Sequence, residues 1–302
     1  MSKKLRVYQV DAFTSVALTG NPAGVVPDAA GLTEAQMQAI ARELNNSETA
    51  FLLPPSSADH DVWVRFFTPT MEVPICGHAT IAAHYIRARE LGMTEGRVLQ
   101  RTGAGILPVE IERNGDDLEI IMTQGEIKFE KVLEGADRET LLRALGISEA
   151  DLDARCPIQI VSTGHSKVLI GIKEHAKLNS LKPNLSELAK LSGAIGCNGY
   201  FVFTLSASDK AFLAEGRMLA PAIGINEDPV TGNANGPLGA YLVHHRLVAH
   251  DGKQLTFYTK QGAAMGRPGK VRVVVDIEAG EAVKVRVAGR ATVAFQTEME
   301  IG

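Results

Sequence analysis

Three groups of polar residues in this 302-residue chain have the side chains needed for proton transfer. They are Glu48, the turn Cys76-Gly77-His78, and the turn from Asp228 to Asn233. Glu48 stands where a loop meets an apolar segment, so we expect its carboxylate to be partly desolvated. Desolvation penalises the charged form of a glutamate and makes it a competent acid or base near neutral pH. A surface glutamate at a strand end is the alternative interpretation.

Each of the two turns opens a predicted helix, so free backbone N–H groups and the positive end of a helix dipole lie there. Gly77 and Gly232 let the backbone approach a ligand, and two such helix starts facing one cleft would bind a carboxylate. Close packing alone is the alternative role for both glycines. His78 is suited to relaying protons or to pairing with the backbone, and Asp228 before Pro229 is also a common turn residue.

The three cysteines, Cys76, Cys156 and Cys197, are odd in number and far apart. This spacing fits neither a disulfide framework nor a paired zinc site. Cys76 precedes a helix start, where a thiol ionises more easily. The second half of the chain has Thr231 or Asp228 at the matching position, according to the alignment offset, and therefore no second thiol.

The sequence contains no glycine-rich nucleotide-binding motif and no G-x-S-x-G nucleophile elbow. His84 follows His78 by six residues, which separates the two on a helix, and His244 and His245 are adjacent. This spacing predicts no histidine-rich metal site. We therefore expect neither a metal nor a cofactor.

The net charge of −4 arises from 31 basic and 35 acidic side chains scattered along the chain. This balance gives no basic surface for nucleic acid and favours a small-molecule partner. No apolar run approaches the roughly 18 residues of a membrane helix, and the first residues lack a signal-peptide core. We expect a cytoplasmic protein that binds neither nucleic acid nor membranes.

The elements that must position these residues belong to an internal repeat of the sequence. At roughly 150 residues per domain, the length fits two domains. The offset between the halves is 152 residues from Pro69 to Pro221 and 155 residues from Gly77 to Gly232. We interpret the repeat as a duplicated domain whose corresponding loops converge on an interdomain cleft, with two unrelated halves as the alternative. The paired segments are 10–14 with 161–165, 47–51 with 198–202, 65–69 with 217–221, and 77–80 with 232–235.

Strands dominate the predicted secondary structure. Thr33 and Gln36 form a capping box ahead of an amphipathic helix over residues 33–44. The residue patterns predict strands at 7–10, 48–53, 62–67, 254–259, 270–277, 283–287 and 291–296.

Two further helices are predicted to be buried. Residues 79–91 are apolar on nearly every side until the last turns, and Gly92 supplies a C-terminal stop. The counterpart is a helix over residues 233–247 with Pro237 in its opening turn. Each half is therefore expected to be mostly strands around one buried helix.

Six motifs together resemble the PhzF, or phenazine biosynthesis-like, isomerase family. They keep the family's order from residue 11 to residue 268, which is nearly the whole chain. The sequence looks closest to uncharacterised bacterial members. The motifs are Asp11-Ala12-Phe13-Thr14, Gly20-Asn21-Pro22-Ala23-Gly24-Val25, Ser47-Glu48-Thr49-Ala50-Phe51, Cys76-Gly77-His78-Ala79-Thr80, Asp228-Pro229-Val230-Thr231-Gly232-Asn233-Ala234 and Gln261-Gly262-Ala263-Ala264-Met265-Gly266-Arg267-Pro268.

The resemblance implies an α+β fold of the diaminopimelate epimerase type. Such a fold has two pseudosymmetric domains, each a β-barrel-like sheet wrapped around a central helix. It also implies that the C-terminal strand returns to the first domain. The expected domains are residues 1–124 with 290–302, carrying Glu48 and His78, and residues 125–289, carrying Asp228.

The resemblance also implies the roles of individual residues. Glu48 is the expected general base, with His78 and Asp228 assisting it. The expected chemistry is proton transfer without a cofactor, on a substrate whose carboxylate is held by backbone amides, in a homodimer. The expected substrate-binding residues are Asn21, Ser47, Gly77, Gly232 and Asn233.

The expected function is therefore an isomerase that moves a proton on a small cyclic amino acid with a carboxylate. A carboxylate-binding protein without catalysis is one alternative, although it would not need Glu48, His78 and Asp228 together. A racemase or epimerase that depends on Cys76 is the other.

Overall fold

The computed structural model describes residues 3–302, which form two compact units. Unit 1 extends to Thr123 and includes the C-terminal segment Ala288–Gly302, whereas unit 2 is Gln124–Val287. Within the described residues, no helix has both the length and the apolar composition required to cross a membrane.

The strands and helices have the following bounds. The strands are β1 (Lys3–Ala12), β2 (Asn21–Val26), β3 (Thr49–Leu53), β4 (Val62–Phe67), β5 (Glu72–Val73), β6 (Gly96–Thr102), β7 (Gly105–Asn114), β8 (Asp117–Thr123), β9 (Ile127–Val132), β10 (Gln159–Thr163), β11 (Lys167–Ile172), β12 (Tyr200–Thr204), β13 (Ala214–Ala220), β14 (Ile225–Asp228), β15 (Gln254–Gln261), β16 (Gly269–Glu278), β17 (Glu281–Gly289) and β18 (Ala291–Ile301). The helices are α1 (Glu34–Leu44), α2 (Gly77–Leu91), α3 (Gly135–Leu145), α4 (His175–Ser180), α5 (Leu185–Ile195) and α6 (Gly232–His244).

The strands of unit 1 form one continuous series. β1 lies between β18 and β2 and is antiparallel to both. β2 is parallel to β3, and β4 is antiparallel to β3 and to the short β5. β4 is also parallel to β6, after which β6, β7 and β8 form an antiparallel meander.

Unit 2 repeats these pairings strand for strand. β10 is antiparallel to β9 and β11, and β11 is parallel to β12. β13 is antiparallel to β12 and β14 and parallel to β15, which is in turn antiparallel to β16. The same order of parallel and antiparallel neighbours in both units confirms the predicted pseudosymmetric fold.

Each series of strands surrounds one apolar helix. In unit 1, α2 contacts β1, β2, β3, β7, β8 and β18. In unit 2, α6 contacts β9, β10, β11, β15 and β16. Both helices are buried along nearly their whole length, as their almost uniform apolar character predicts.

The ends of these helices depart slightly from the sequence prediction. Gly92 ends α2 in the left-handed conformation, with φ of 65°, as expected of a C-terminal glycine. α6 begins at Gly232, so Pro237 is its sixth residue and lies in the second turn rather than the first. Proline has no N–H and cannot donate to the carbonyl of Asn233, four residues earlier.

Further helices lie outside the strand series, in addition to the one buried helix expected in each half. α1 forms as predicted, and the Thr33 and Gln36 capping box is present. In unit 2, α3 and α5 pack on the strand series through a cluster that includes Leu141, Leu188 and Val202. β10, β11 and β12 are therefore covered on both faces, which explains why every residue in them is buried.

Candidate functional site

Glu48 is positioned by the parallel pairing of β2 and β3. It immediately precedes β3, and its carbonyl accepts a hydrogen bond from the N–H of Gly24, at 3.3 Å. A Cβ at position 24 would lie 2.7 Å from Oγ1 of Thr49, so glycine permits this close approach. The Glu48 side chain is 14% exposed, which agrees with the expected partial desolvation.

His78 lies between two potential proton carriers. It is the second residue of α2, and its side chain is 7% exposed. Its Nε2 lies 3.4 Å from Oε2 of Glu48 and 3.3 Å from Oγ of Ser47. Its Nδ1 lies 3.4 Å from Sγ of Cys76. The imidazole can therefore orient the Glu48 carboxylate on one side and contact a thiol on the other.

The start of α2 faces open space. Cys76 is the N-cap residue in an extended conformation, and its side chain does not cap the helix. A Cβ at Gly77 would have no heavy atom within 4 Å, and the first turn contains no acidic residue. The positive end of the helix dipole is therefore available to an anion next to Glu48 and His78.

Three different donor atoms converge in this part of unit 1. A carboxylate oxygen of Glu48, Sγ of Cys76 and a ring nitrogen of His78 all lie within 4.8 Å of one another. These are the ligand types that Zn²⁺ takes in proteins. This mixed set was not predicted from the sequence, because its residues form neither a histidine pair nor a cysteine pair.

Asp228 lies in unit 2, in the turn that opens α6. It is the last residue of β14, and its Oδ2 accepts a hydrogen bond from Oγ1 of Thr231, the N-cap residue of α6. Gln261 holds the same turn: its Nε2 donates to the carbonyl of Asp228 at 2.8 Å, and its Oε1 accepts from the N–H of Thr231 at 3.1 Å. Oε1 also accepts from Nδ2 of Asn235 at 3.0 Å.

Gln124 fixes the first residues of α6. Its Nε2 donates to the carbonyl of Gly232 and to Oδ1 of Asn233, both at 3.1 Å. Its Oε1 accepts from Oγ1 of Thr163 at 2.5 Å. A Cβ at Gly236 would lie 1.8 Å from Oε1 of Gln124, so a glycine is needed there. The role of Gln124 was not predicted, because no local sequence pattern indicates it.

The structure brings together Ser47, Glu48 and His78 in unit 1 and places Gly77 at the start of the same helix. Asn21 is the buried first residue of β2. Asp228, Gly232 and Asn233 belong to the turn and helix start of unit 2.

Lys167 is a buried charged residue that the sequence reasoning missed. It is the first residue of β11 and is 9% exposed. Burial lowers the pKa of its ammonium, whereas the charges of Cys197 and Asp228 act in the opposite direction. The signal available in the sequence was a lysine at the start of an otherwise apolar strand.

Comparison with known proteins identifies relatives over the full length. The sequence matches the family described as phenazine biosynthesis-like protein over residues 10–297. It is 57% identical to an uncharacterised isomerase of Clostridium acetobutylicum, covering 99% of each chain. It is 35% identical to the trans-2,3-dihydro-3-hydroxyanthranilate isomerase of Pseudomonas chlororaphis, covering 93% of this chain and 94% of that one.

Solved structures agree with this result. The fold superposes on a PhzF family protein of Bacillus anthracis with a TM-score of 0.89 and 34% sequence identity, covering 99% of this chain and 100% of the other. The family match, the relatives and the superposition all span nearly the whole chain. The chain therefore belongs to the phenazine biosynthesis-like family, and it is an isomerase.

Proposed function

We propose that this isomerase moves a proton on a small cyclic, amino-acid-like substrate that carries a carboxylate, with Glu48 as acid and base and without a cofactor. The observation that carries the proposal is the 3.4 Å distance between Oε2 of Glu48 and Nε2 of His78, beside the open start of α2. The substrate class is taken from the relative in Pseudomonas chlororaphis, which is named for an unsaturated cyclic amino acid.

In the proposed reaction, the Glu48 carboxylate removes a proton from a carbon next to a conjugated system, and the electron pair of that C–H bond enters the system. The protonated Glu48 then returns the proton to a different carbon, so that atoms and charge balance over the cycle. Acid and base catalysis of this kind contributes about a hundred- to ten-thousandfold. The start of α2 would stabilise the negative charge that develops on the substrate.

His78 has a supporting role in the proposal. Its Nε2 lies within reach of both Glu48 and Ser47, so it can hold the carboxylate in one orientation while the proton is carried. Because the imidazole is nearly buried, this arrangement is protected from bulk water. A fixed carboxylate needs little reorganisation during each transfer.

The test uses Glu48→Gln in D₂O with trans-2,3-dihydro-3-hydroxyanthranilate and a panel of related cyclic amino acids. Wild-type protein should incorporate deuterium into product, and the variant should lose at least about a hundredfold in turnover with an unchanged melting temperature. Glu43→Gln, at an exposed position of α1, is the matched control and should behave as wild type. Undiminished deuterium incorporation by Glu48→Gln would show that another group is the base.

Asp228 is assigned to the same reaction by the family resemblance. The hydrogen bond from Thr231 and the contacts from Gln261 hold the turn that carries Asp228 in one conformation. We predict that Asp228 and Glu48 act on the same substrate. Asp228→Asn should then lower turnover with the same substrates, and a variant with wild-type kinetics would remove Asp228 from the mechanism.

One observation favours a second candidate function. Sγ of Cys76 lies 3.4 Å from Nδ1 of His78, a distance at which the imidazole could accept the thiol proton. A racemase that uses the Cys76 thiolate would be inactivated by Cys76→Ala and by iodoacetamide. An isomerase that uses Glu48 should instead keep most of its turnover in the Cys76→Ala variant.

A further inference from the structure

Gln261 opens the last of the six sequence motifs, and the proposed reaction assigns it no part. It ends β15 and is 1% exposed. Its Nε2 donates to the carbonyl of Asp228 at 2.8 Å and to Oγ1 of Thr231 at 3.1 Å. Its Oε1 accepts from the N–H of Thr231 at 3.1 Å and from Nδ2 of Asn235 at 3.0 Å. Both donor hydrogens and both acceptor lone pairs of the amide are therefore used.

The backbone of the Asp228 turn fixes which way this amide points. A peptide carbonyl can only accept a hydrogen bond, and a peptide N–H can only donate one. Nε2 of Gln261 must therefore face the carbonyl of Asp228, and Oε1 must face the N–H of Thr231. The reverse orientation would bring two donors together and two acceptors together in a buried place, which is costly.

The amide in turn sets the direction of the Thr231 hydroxyl. Because Nε2 of Gln261 donates to Oγ1 of Thr231, the single hydroxyl hydrogen is left to donate elsewhere. Its acceptor is Oδ2 of Asp228. The hydrogen bonds therefore run in one direction, from Gln261 through Thr231 to the Asp228 side chain.

Gly262 lets the end of β15 lie close to this turn. Its φ is 87°, a left-handed conformation that glycine adopts without strain. A Cβ at Gly262 would lie 2.7 Å from the carbonyl oxygen of Pro229, which is too close for a carbon atom. A larger residue would therefore push the neighbouring Gln261 away from the turn.

Unit 1 forms the same fold without a corresponding contact. β6 and β15 are equivalent strands, since each is parallel to its neighbour β4 or β13. β6 ends at Thr102, whose Oγ1 donates within its own hairpin to the carbonyl of Gly105, at 3.1 Å. The side chain of Cys76, the N-cap residue of α2, makes no capping hydrogen bond. The fold itself therefore does not require the amide of Gln261.

The fourth residues of α2 and α6 differ in the same sense. Oγ1 of Thr80 in α2 donates to the carbonyl of Cys76, at 2.7 Å. Asn235 in α6 donates from Nδ2 to the carbonyl of Thr231 at 2.9 Å and uses the same nitrogen to reach Gln261. Its Oδ1 is buried without a partner among the described residues, which costs stability. An amide that carries this cost in order to hold Gln261 indicates that the orientation of Gln261 matters.

We propose that Gln261 is a positioning residue that directs the Thr231 hydroxyl onto Asp228 and so holds the Asp228 carboxylate in the orientation that turnover requires. This inference rests on the proposed function for the participation of Asp228. Gln261 acts only through Thr231 and Asp228. Its effect on turnover should therefore disappear once the Asp228 carboxylate has been removed.

The test is a double-mutant cycle on turnover, with the substrate panel used for Glu48→Gln. Gln261→Met should lower kcat/KM at least about tenfold, because a misplaced group loses its fixed geometry. Gln261→Met combined with Asp228→Asn should be no slower than Asp228→Asn alone, since two residues that act as a unit are not additive. Losses that add, or wild-type kinetics in either single variant, would overturn the proposal.

Two further comparisons separate positioning from a structural role. Thr231→Val removes the hydroxyl and should match the loss in Gln261→Met, whereas Thr231→Ser keeps the hydroxyl and should recover turnover relative to Thr231→Val. Equal losses in the two Thr231 variants would contradict the proposed direction of the hydrogen bonds. A structural role would change the melting temperature and would not make the loss in Gln261→Met depend on Asp228.

Gln254→Met is the matched control. Gln254 lies on the same strand, and its amide also contacts an aspartate and a threonine, Asp276 at 3.0 Å and Thr256 at 3.1 Å. It is exposed, at the opposite end of β15, and its variant should keep wild-type turnover. If Gln261→Met does not fold, Gln261→Glu provides the same comparison, because it keeps an acceptor oxygen and loses the donor.

Neutron diffraction tests the hydrogen-bond direction without turnover. In crystals of the deuterated wild type, the deuterium on Oγ1 of Thr231 should point to Oδ2 of Asp228, and both deuterium atoms on Nε2 of Gln261 should face the turn. A hydroxyl deuterium that points to Gln261 would overturn the proposal.

The inference and the proposed function fail separately. Retained deuterium incorporation by Glu48→Gln would remove Glu48 as the base. The coupling between Gln261 and Asp228 would still stand, because it is measured on any substrate that is turned over. Additive losses in the double-mutant cycle would remove Gln261 as a positioning residue and leave the role of Glu48 intact.

Discussion

Arg65 and Arg217 lie 152 residues apart in sequence and occupy equivalent positions in the two units. Each forms two parallel hydrogen bonds with a glutamate on the following short strand. For Arg65 and Glu72 the distances are 2.7 and 2.6 Å, and for Arg217 and Glu227 both are 2.8 Å. These pairs join β4 to β5 and β13 to β14, so they hold the strands that lead into the starts of α2 and α6.

The two ion pairs should differ in what they contribute to stability. The side chains of Arg217 and Glu227 are 9% and 16% exposed, and Arg217 also donates to the carbonyls of Leu178 and Leu181. Glu227→Gln would leave a buried guanidinium without its counter-charge, so we expect a loss of about 3 kcal/mol in the free energy of unfolding. Urea denaturation of the variant and the wild type measures this loss.

Glu72→Gln is the comparison for that variant. Glu72 is 37% exposed, and Arg65 keeps a second partner in Glu34, at 2.8 Å. We expect a loss of less than about 1 kcal/mol, as for other exposed pairs. Equal losses for Glu72→Gln and Glu227→Gln would show that burial does not decide the strength of these pairs.

A buried histidine should make stability depend on pH. His84 is fully buried in α2; its Nε2 lies 3.0 Å from Oε1 of Gln100, and its Nδ1 has no partner among the described residues. Burial lowers the pKa of His84 to about 4, from 6.5 in the unfolded chain. Because the unfolded state binds the proton more tightly, the stabilisation is complete above about pH 6.5 and is lost as the pH falls towards 4.

From the two pKa values of His84, we expect the free energy of unfolding to fall by about 2 kcal/mol between pH 7 and pH 5. The measurement is urea denaturation at both pH values for wild type and His84→Gln, which cannot be protonated in this range. The variant should lose less stability on acidification than wild type. His250→Gln, in the loop after α6, should keep the wild-type dependence, and an unchanged dependence in His84→Gln would exclude His84 as the cause.

The duplicated fold was predictable because its signals are local and occur twice. The uniform apolar character of α2 and α6 predicted central helices, and Thr33 with Gln36 predicted the start of α1. α3 and α5 were not predicted, because these helices lie outside the matched segments of the repeat. Leu141, Leu145, Leu188 and Leu191 show in retrospect the spacing of amphipathic helices.

The candidate site was predictable in its residue types and less so in its contacts. Glu48 was predicted as a site residue from its position next to an apolar strand, and His78 was predicted from the glycine turn that contains it. The burial of Lys167 depends on register across three strands and on the missing side chain at Gly199, which no local pattern reveals. Gln124 likewise reaches α6 across more than a hundred residues of sequence.

The donors in unit 1 predict that Zn²⁺ inhibits the isomerase. Nε2 of His78 lies 3.4 Å from Oε2 of Glu48 and 4.0 Å from Sγ of Cys76. Zinc binds nitrogen at about 2.0 to 2.1 Å and sulfur at about 2.3 Å, so small movements would bring all three atoms onto one ion. A bound ion would occupy the carboxylate that the proposed reaction needs. EDTA should restore turnover.

Cobalt provides a readout of this site that does not depend on activity. Co²⁺ added to wild-type protein should give a thiolate-to-metal absorption band, and Cys76→Ser should abolish it. Cys197→Ser is the matched control, because Cys197 belongs to unit 2 and burial raises the pKa of its thiol. If Cys76→Ser kept the band, the metal would bind elsewhere. If Zn²⁺ left the turnover of wild type unchanged, the three donors would not close around an ion in solution.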